Sequence, residues 1–263
     1  MNDTANRVED SWSILRRYTD ARIALGRTGA SLPPREVLGF RVAHAAARDA
    51  VLSPLDADSV GEGMKGLGLG FVRLKSRCGD KAEYLQRPDL GRRLCEDSRA
   101  ELKALAPDSG CDLAIIVADG LSSAAIERQA LPFQSMYLPL TAGLKLGPLC
   151  LATFSRVALS DEIGALLGAK AVVILIGERP GLNSPDSLGA YLTFAPKVGT
   201  TDERRNCISN IRPAGLPLAR AAAKLAYLVR ESLRRGVSGV GLKDEESAER
   251  MGEWAKNLSA IGH

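Results

Sequence analysis

Ala171 to Ile176, AVVILI, is an unbroken apolar run closed by Gly177, and Asp112 to Ala118, DLAIIVA, is a second run of the same kind. A strand wetted on one face alternates apolar and polar side chains, whereas a run without alternation has to be covered on both faces. Such runs predict a sheet between two helical layers, with parallel strands joined by crossovers. Strand candidates at Phe71 to Leu74, Leu149 to Arg156 and Tyr191 to Phe194 alternate with helical segments along the chain. The expectation is an α/β fold whose doubly wound, mostly parallel sheet occupies residues 69–263, behind a small helical N-terminal region over 1–68.

Helices are read from apolar spacing and stop signals. Trp12, Leu15 and Tyr18 place a surface helix with a narrow apolar stripe over Glu9 to Ala24. Pro33 and Pro34 open a helix over Arg35 to Leu52, with His44 in its middle as a surface or structural residue. Gly66, Gly68 and Gly70 read as a flexible linker. Further helices are expected from Arg87-Pro88 to about Ala106, over Ala124 to Leu131 and Pro132 to Leu146, and from Ser160 to Gly168. Two more fall over Leu216 to Arg235 and over Asp244 to Leu258, the last carrying Met251, Trp254 and Leu258.

Composition removes several chemistries. Lys and Arg number 35 against 31 Asp and Glu, without a basic stretch suited to a nucleic-acid groove, so no nucleic-acid partner is expected. No apolar run reaches the roughly 18 to 20 residues of a membrane span, and MNDTANRVEDSW lacks a secretory pattern, so a cytoplasmic protein without a membrane partner is expected. Cys78, Cys95, Cys111, Cys150 and Cys207 form no C-x-x-C pair and read as reduced thiols. His44 and His263 are the only histidines, too few for a Cys/His metal site or a Ser-His-Asp triad. Neither a Walker-type loop nor G-x-G-x-x-G follows a strand.

The remaining candidates lie where parallel strands end, since open α/β sheets bind ligands at their carboxyl edge. Three loops share that edge: Asp119 to Ser123, Arg156-Val157 and Glu178 to Gly181. Asp119 suits either a turn or a ligand contact, and Ser122 or Ser123 caps the next helix. Glu178 beside Arg179 suits a solvated ion pair or a ligand contact. Cys207 sits in Arg204 to Asn210, RRNCISN, a polar string without helix or strand periodicity. A buried packing role competes there with contact to a large polar ligand, and a nucleophile lacks a base. On residues alone, a stand-alone nucleotide- or phosphate-binding protein with Asp119 to Ser123 as its site stays open.

Five strings carry a family resemblance: RTGASLP (Arg27 to Pro33), RPDLGRRL (Arg87 to Leu94), VADGLSSAA (Val117 to Ala125), LIGERPGLNSPDSLGAYLT (Leu175 to Thr193) and RNCISNIRPAGLP (Arg205 to Pro217). In content and order they resemble the small subunit of ethanolamine ammonia-lyase. The resemblance implies a Rossmann-like subunit of an adenosylcobalamin-dependent lyase converting ethanolamine to acetaldehyde and ammonia. A TIM-barrel large subunit binds the substrate and hosts the radical chemistry. The small subunit completes the cobalamin site between the chains, has no catalytic or metal-binding residue of its own, and is inactive alone. Several copies of each chain assemble into a hetero-oligomer.

By motif, the family's cobalamin contacts fall on Val157 in Ser155-Arg156-Val157, Glu178 in IGERPG and Cys207 in RNCISN. The expected roles are backbone contact for Val157, acceptance of amide or ribose hydrogen bonds for Glu178, and packing for Cys207. Arg156 is a neighbour suited to the ligand's phosphate on chemical grounds. The D-x-H-x-x-G motif that replaces the cofactor's lower base with histidine is absent, so base-on cobalamin is expected. The Glu9 to Ala24 helix is a candidate contact for the large subunit or for a bacterial microcompartment that degrades ethanolamine.

Overall fold

A computed structural model of the chain describes residues 7–8 and 10–243. β1 (Arg7–Val8) and β2 (Arg27–Thr28) pair antiparallel as a short ribbon. Between them, the helix expected over Glu9 to Ala24 is only a 3-10 segment at Ser11–Arg17, capped by Asp10, whose carboxylate accepts from Trp12 N at 2.9 Å. Trp12 and Tyr18 are 66% and 81% exposed, so tertiary packing does not prolong it. The helix expected over Asp244 to Leu258, with Met251, Trp254 and Leu258, and the terminal His263 lie outside the described residues.

α1 (Pro34–Leu52) begins on its proline as anticipated, and His44 stands exposed on it, stacked on Phe40. α2 (Ala57–Lys65) has no counterpart in the sequence reading, which its two glycines obscure. Asp56 caps it, and Val60 and Met64, one turn apart, are buried in the same core as the sheet. Gly66 to Gly70 make the turn from α2 into β3 (Phe71–Lys75).

The helix expected from Arg87 to about Ala106 is present only as α4 (Glu96–Leu105); a separate helix, α3 (Lys81–Gln86), ends before Arg87, and a 3-10 turn at Leu90–Arg92 lies between them. Asp80 accepts from Glu83 N at 2.8 Å while Glu83 Oε2 accepts from Gly79 N at 2.6 Å, a reciprocal cap that starts α3 early. Arg93 to Cys95 then run extended beside β3, bonded to Arg77 N and Lys75 O, which forbids helix there.

β4 (Cys111–Ala118) leads into α5 (Ser123–Tyr137), capped by Ser122 Oγ. Pro132 was expected to divide this region into two helices, but it lies inside one. Ala130 before it and Phe133 and Tyr137 after it are all fully buried on the sheet, and this packing outweighs the missing hydrogen bond. β5 (Leu146–Thr153), α6 (Leu159–Leu166), β6 (Ala169–Gly177) and β7 (Leu188–Phe194) follow. The polar string around Cys207 is also a strand, β8 (Arg205–Ile211), and α7 (Leu218–Arg235) closes at Gly236 in the left-handed region, φ 67°.

The six-stranded sheet has the order β3-β5-β4-β6-β7-β8, parallel across β3, β5, β4 and β6 and antiparallel from β6 through β8. It is doubly wound and mostly parallel, as expected, though its strand order makes the Rossmann likeness loose. Leu113, Ile115, Val117, Val173 and Leu175 face one core with α2, α5 and α7. Ala114, Ile116, Val172 and Ile174 face the other, beneath α4 and α6. Successive residues of β4 and β6 thus enter opposite cores, which is why neither strand alternates.

Arg205 ties the antiparallel extension to this frame. Its guanidinium makes a bidentate pair with Asp161 in the first turn of α6, at 2.6 and 2.7 Å, and also donates to Thr193 Oγ1 and the Thr200 carbonyl. Both side chains are nearly inaccessible, so neither charge has water as a substitute partner. Arg205→Leu should lower unfolding free energy by about 3–5 kcal/mol, read from urea melts, because it strands the Asp161 carboxylate. Adding Asp161→Leu should recover part of that loss; additive losses would show that the pair is not coupled.

Candidate functional site

Val117-Ala118 of β4 pair with Leu151-Ala152 of β5 on one side and Leu175-Ile176 of β6 on the other, so the three strands end level. The loops that leave them therefore meet. Gly120, Leu121, Arg156, Val157, Glu178 and Arg179 line one cleft of about 350 Å³, together with Tyr84 of α3 and Tyr191 of β7. A wider depression of about 830 Å³ shares Arg156, Val157 and Tyr191 and continues toward Arg92, Arg93 and residues 198–203. The predicted convergence of the three loops is present.

The cleft floor rests on close backbone contact. Gly120 has φ 56°, and a Cβ there would stand 2.3 Å from the Gly177 carbonyl oxygen. A Cβ on Gly177 would meet the Ser122 carbonyl oxygen at 2.1 Å. Larger residues at either position would force β4 and β6 apart where their loops cross.

Asp119 resolves toward its structural role. It is 2% exposed, and its oxygens accept from Gly120 N at 2.8 Å, Phe154 N at 2.8 Å and Ser155 N at 3.0 Å. Burial raises its pKa, against the opposing effects of nearby Lys81 and these three amides. The carboxylate stitches the end of β4 to the loop after β5, where Phe154 holds a left-handed φ of 55°. That loop carries Arg156 and Val157.

Glu178 does not pair with Arg179. Its Oε2 accepts from Ser187 Oγ at 2.6 Å and from Asn210 N at 3.2 Å, anchoring it to the end regions of β7 and β8. Its side chain crosses Gly189, where a Cβ would stand 3.1 Å from Oε1. Oε1 has no hydrogen-bond donor among the described residues, so one acceptor at the cleft stays open.

Cys207 lies one strand beyond the cleft wall. It is exposed on β8, directly opposite Tyr191 in the β7–β8 pairing. Desolvation of the sulfur raises the thiol pKa, which disfavours the thiolate that a nucleophile needs. All five cysteines are free, and among the described residues no group of His, Cys, Asp and Glu is arranged to hold a metal. Among them, too, no helix is long and apolar enough to cross a membrane.

Of the alternative site at Asp119 to Ser123, Gly120 and Leu121 reach the cleft, while the side chains of Asp119, Ser122 and Ser123 are engaged within the fold. Ser122 and Ser123 are buried, their hydroxyls donating to Pro185 O at 2.7 Å and Ser53 O at 3.0 Å. At the start of α5 the Ala125 amide is already taken by Ser122 Oγ, which weakens the case for a phosphate there. Conversely, sequence reasoning missed Lys81 and Tyr84, because α3 was hidden. The Asp80…Glu83 spacing was the signal that would have found it.

Comparison with known proteins places the chain among relatives. Residues 9–243 match the family model for the ethanolamine ammonia-lyase light chain (EutC). The ethanolamine ammonia-lyase small subunit of Azotobacter vinelandii is 53% identical over 255 residues, covering 95% of this chain and 94% of the relative. Those of Pseudomonas paraeruginosa and Pseudomonas fluorescens Pf-5 are 53% and 52% identical over 247 residues, each covering 92% of this chain and 90% of the relative.

Asp119→Asn should destabilise the chain by about 1–3 kcal/mol, since one carboxamide oxygen cannot serve three amides and its NH2 opposes another donor. Asp119→Ala should cost more, with faster hydrogen exchange at Phe154 and Ser155. Wild-type melting and exchange in the Asn variant would refute the clamp.

Proposed function

The chain belongs to the ethanolamine ammonia-lyase light-chain family, and we propose that it completes the adenosylcobalamin site of an enzyme converting ethanolamine to acetaldehyde and ammonia. The observation that carries this reading is the meeting of Val157 and Glu178 at one open cleft, in a chain of this family whose cleft has no histidine and no activated nucleophile. Such a site binds and positions; it does not by itself break a carbon–nitrogen bond. The bond-breaking residues are assigned to the large subunit.

The residues present fit a corrinoid. Val157 and Tyr191 offer apolar surface to a macrocycle, and Glu178 Oε1 offers an acceptor to a peripheral amide or a ribose hydroxyl. Arg156, with a buried Nε that lacks a hydrogen-bond partner, offers charge to a phosphodiester. Cys207, opposite Tyr191 on the neighbouring strand, packs at the margin. When bound, adenosylcobalamin supplies the radical chemistry of the reaction. The ligand is larger than the cleft, so the large subunit covers the remainder and excludes water.

The segment before α1 supports a partner too: Trp12 and Tyr18 are 66% and 81% exposed. The proposed cover for the N-terminal segment is the large subunit, or a microcompartment component. Deleting residues 1–24 should impair assembly or localisation; unchanged assembly, activity and location would remove that role.

Purified alone, the chain should give no acetaldehyde. Co-expression with the large subunit and addition of adenosylcobalamin should restore deamination. In the assembled enzyme, Glu178→Ala with Cys207→Ala should raise the cofactor KM at least about tenfold, the scale of a lost bond to a charged group. An unchanged cofactor KM in this double variant would count against the site.

A further inference from the structure

Arg156 borders both clefts, yet no carboxylate among the described residues is paired with it. Its guanidinium carbon stands 4.3 Å from the centroid of the Tyr84 ring, and Nη2 donates to the Tyr84 carbonyl at 3.1 Å. The Nε atom is buried without a hydrogen-bond partner. One residue of α3 therefore supplies both contacts that orient the charge.

Tyr84 is itself fixed. It is 1% exposed, and its hydroxyl donates to the Ser155 carbonyl at 3.1 Å, on the residue before Arg156. Arg156 N donates to the Gly91 carbonyl at 2.8 Å. A Cβ on Gly91 would stand 3.0 Å from Arg156 Cγ and 3.3 Å from Tyr84 Cδ2, so a larger residue there would press on both the ring and the arginine. The ring carries a second cation, Lys81 Nζ at 5.1 Å, but that ammonium donates to Gly120 O and lies near the buried Asp119.

A carboxylate beside an arginine would orient it by cancelling its charge and occupying its donors. An aromatic face orients it through a quadrupole and leaves the net charge intact. We infer that Tyr84 is a positioning residue that holds the Arg156 guanidinium aligned and unneutralised, so that its charge meets an anionic group of the ligand at the cleft. The inference rests on the cobalamin reading, in which that group is the phosphodiester of the cofactor's nucleotide loop.

The test uses the enzyme assembled from both subunits and measures equilibrium binding of hydroxocobalamin by absorbance, with circular dichroism and melting temperature as folding controls. Tyr84→Leu, which removes the ring, should weaken binding about 3- to 30-fold. It should also raise the KM for adenosylcobalamin, leaving kcat at saturation within about twofold. Tyr84→Phe, which keeps the ring, should restore most of the affinity. In an Arg156→Ala background, Tyr84→Leu should weaken binding no further. If Tyr84→Leu fails to assemble, Tyr84→Met, closer in length and able to fill irregular space, takes its place.

An equal loss from the ring deletion with and without Arg156 would overturn the inference, as would Arg156→Ala leaving hydroxocobalamin binding unchanged. Glu178→Ala separates the two levels of the argument. If it weakens binding while Arg156→Ala does not, only the role of Tyr84 falls. If neither changes binding, the cobalamin reading falls with it.

Discussion

The burial of β4 and β6 on both faces is the constraint from which the rest of the architecture follows. Two strands without a wet face require helices above and below, and a chain can supply both only by crossing over between parallel strands. Parallel strands in turn end at a common edge, and their backbone there has to turn away. Asp119, Gly120, Phe154 and Gly177 are the means of turning in a small space: two glycines in contact, a left-handed phenylalanine and a carboxylate that accepts three amides. The cleft is the opening left above that junction.

Charge is handled differently inside the fold and at the cleft. Buried Asp161 is neutralised by Arg205, and Glu162 by Arg93 and Arg99. Those pairs join α6 to β8, to α4 and to the segment before α4, so their role is to hold elements in register. At the cleft the ionic groups are kept incomplete. Glu178 uses one oxygen on Ser187 and Asn210, and Arg156 leans on a ring. Structural charges are paired with each other, while the charges assigned to ligand binding have no opposite charge bound to them among the described residues.

Legibility in the sequence followed the number of neighbours on which each feature depends. The central strands were readable because double burial leaves its mark in every residue, and the loops at their ends followed from topology. Family motifs pointed to Val157 and Glu178, which the fold brings together, and to Cys207, which it sets one strand away. β8 was unreadable, since an edge strand buries only every third residue or so: Arg205, Ile208 and Ile211 are buried while Cys207, Ser209 and Asn210 are exposed. Its buried arginine owes its place to Asp161, far away in sequence. Pro132 misled for a related reason, because the contacts that keep α5 whole are tertiary. Tyr84 was hidden behind a misplaced helix boundary.

The Gly120–Gly177 contact also has a dynamic consequence. Segments that touch through backbone atoms cannot slide or hinge separately without breaking the sheet below them, so the floor of the cleft moves as one body with the core. The sides are tied to the same body: Pro185 and Asp186 accept from Ser122 and Gln129 of the β4–α5 region, and Thr200 accepts from buried Arg205. A large ligand entering this face would therefore meet a cleft already shaped, and most of the ordering entropy would be lost by the ligand.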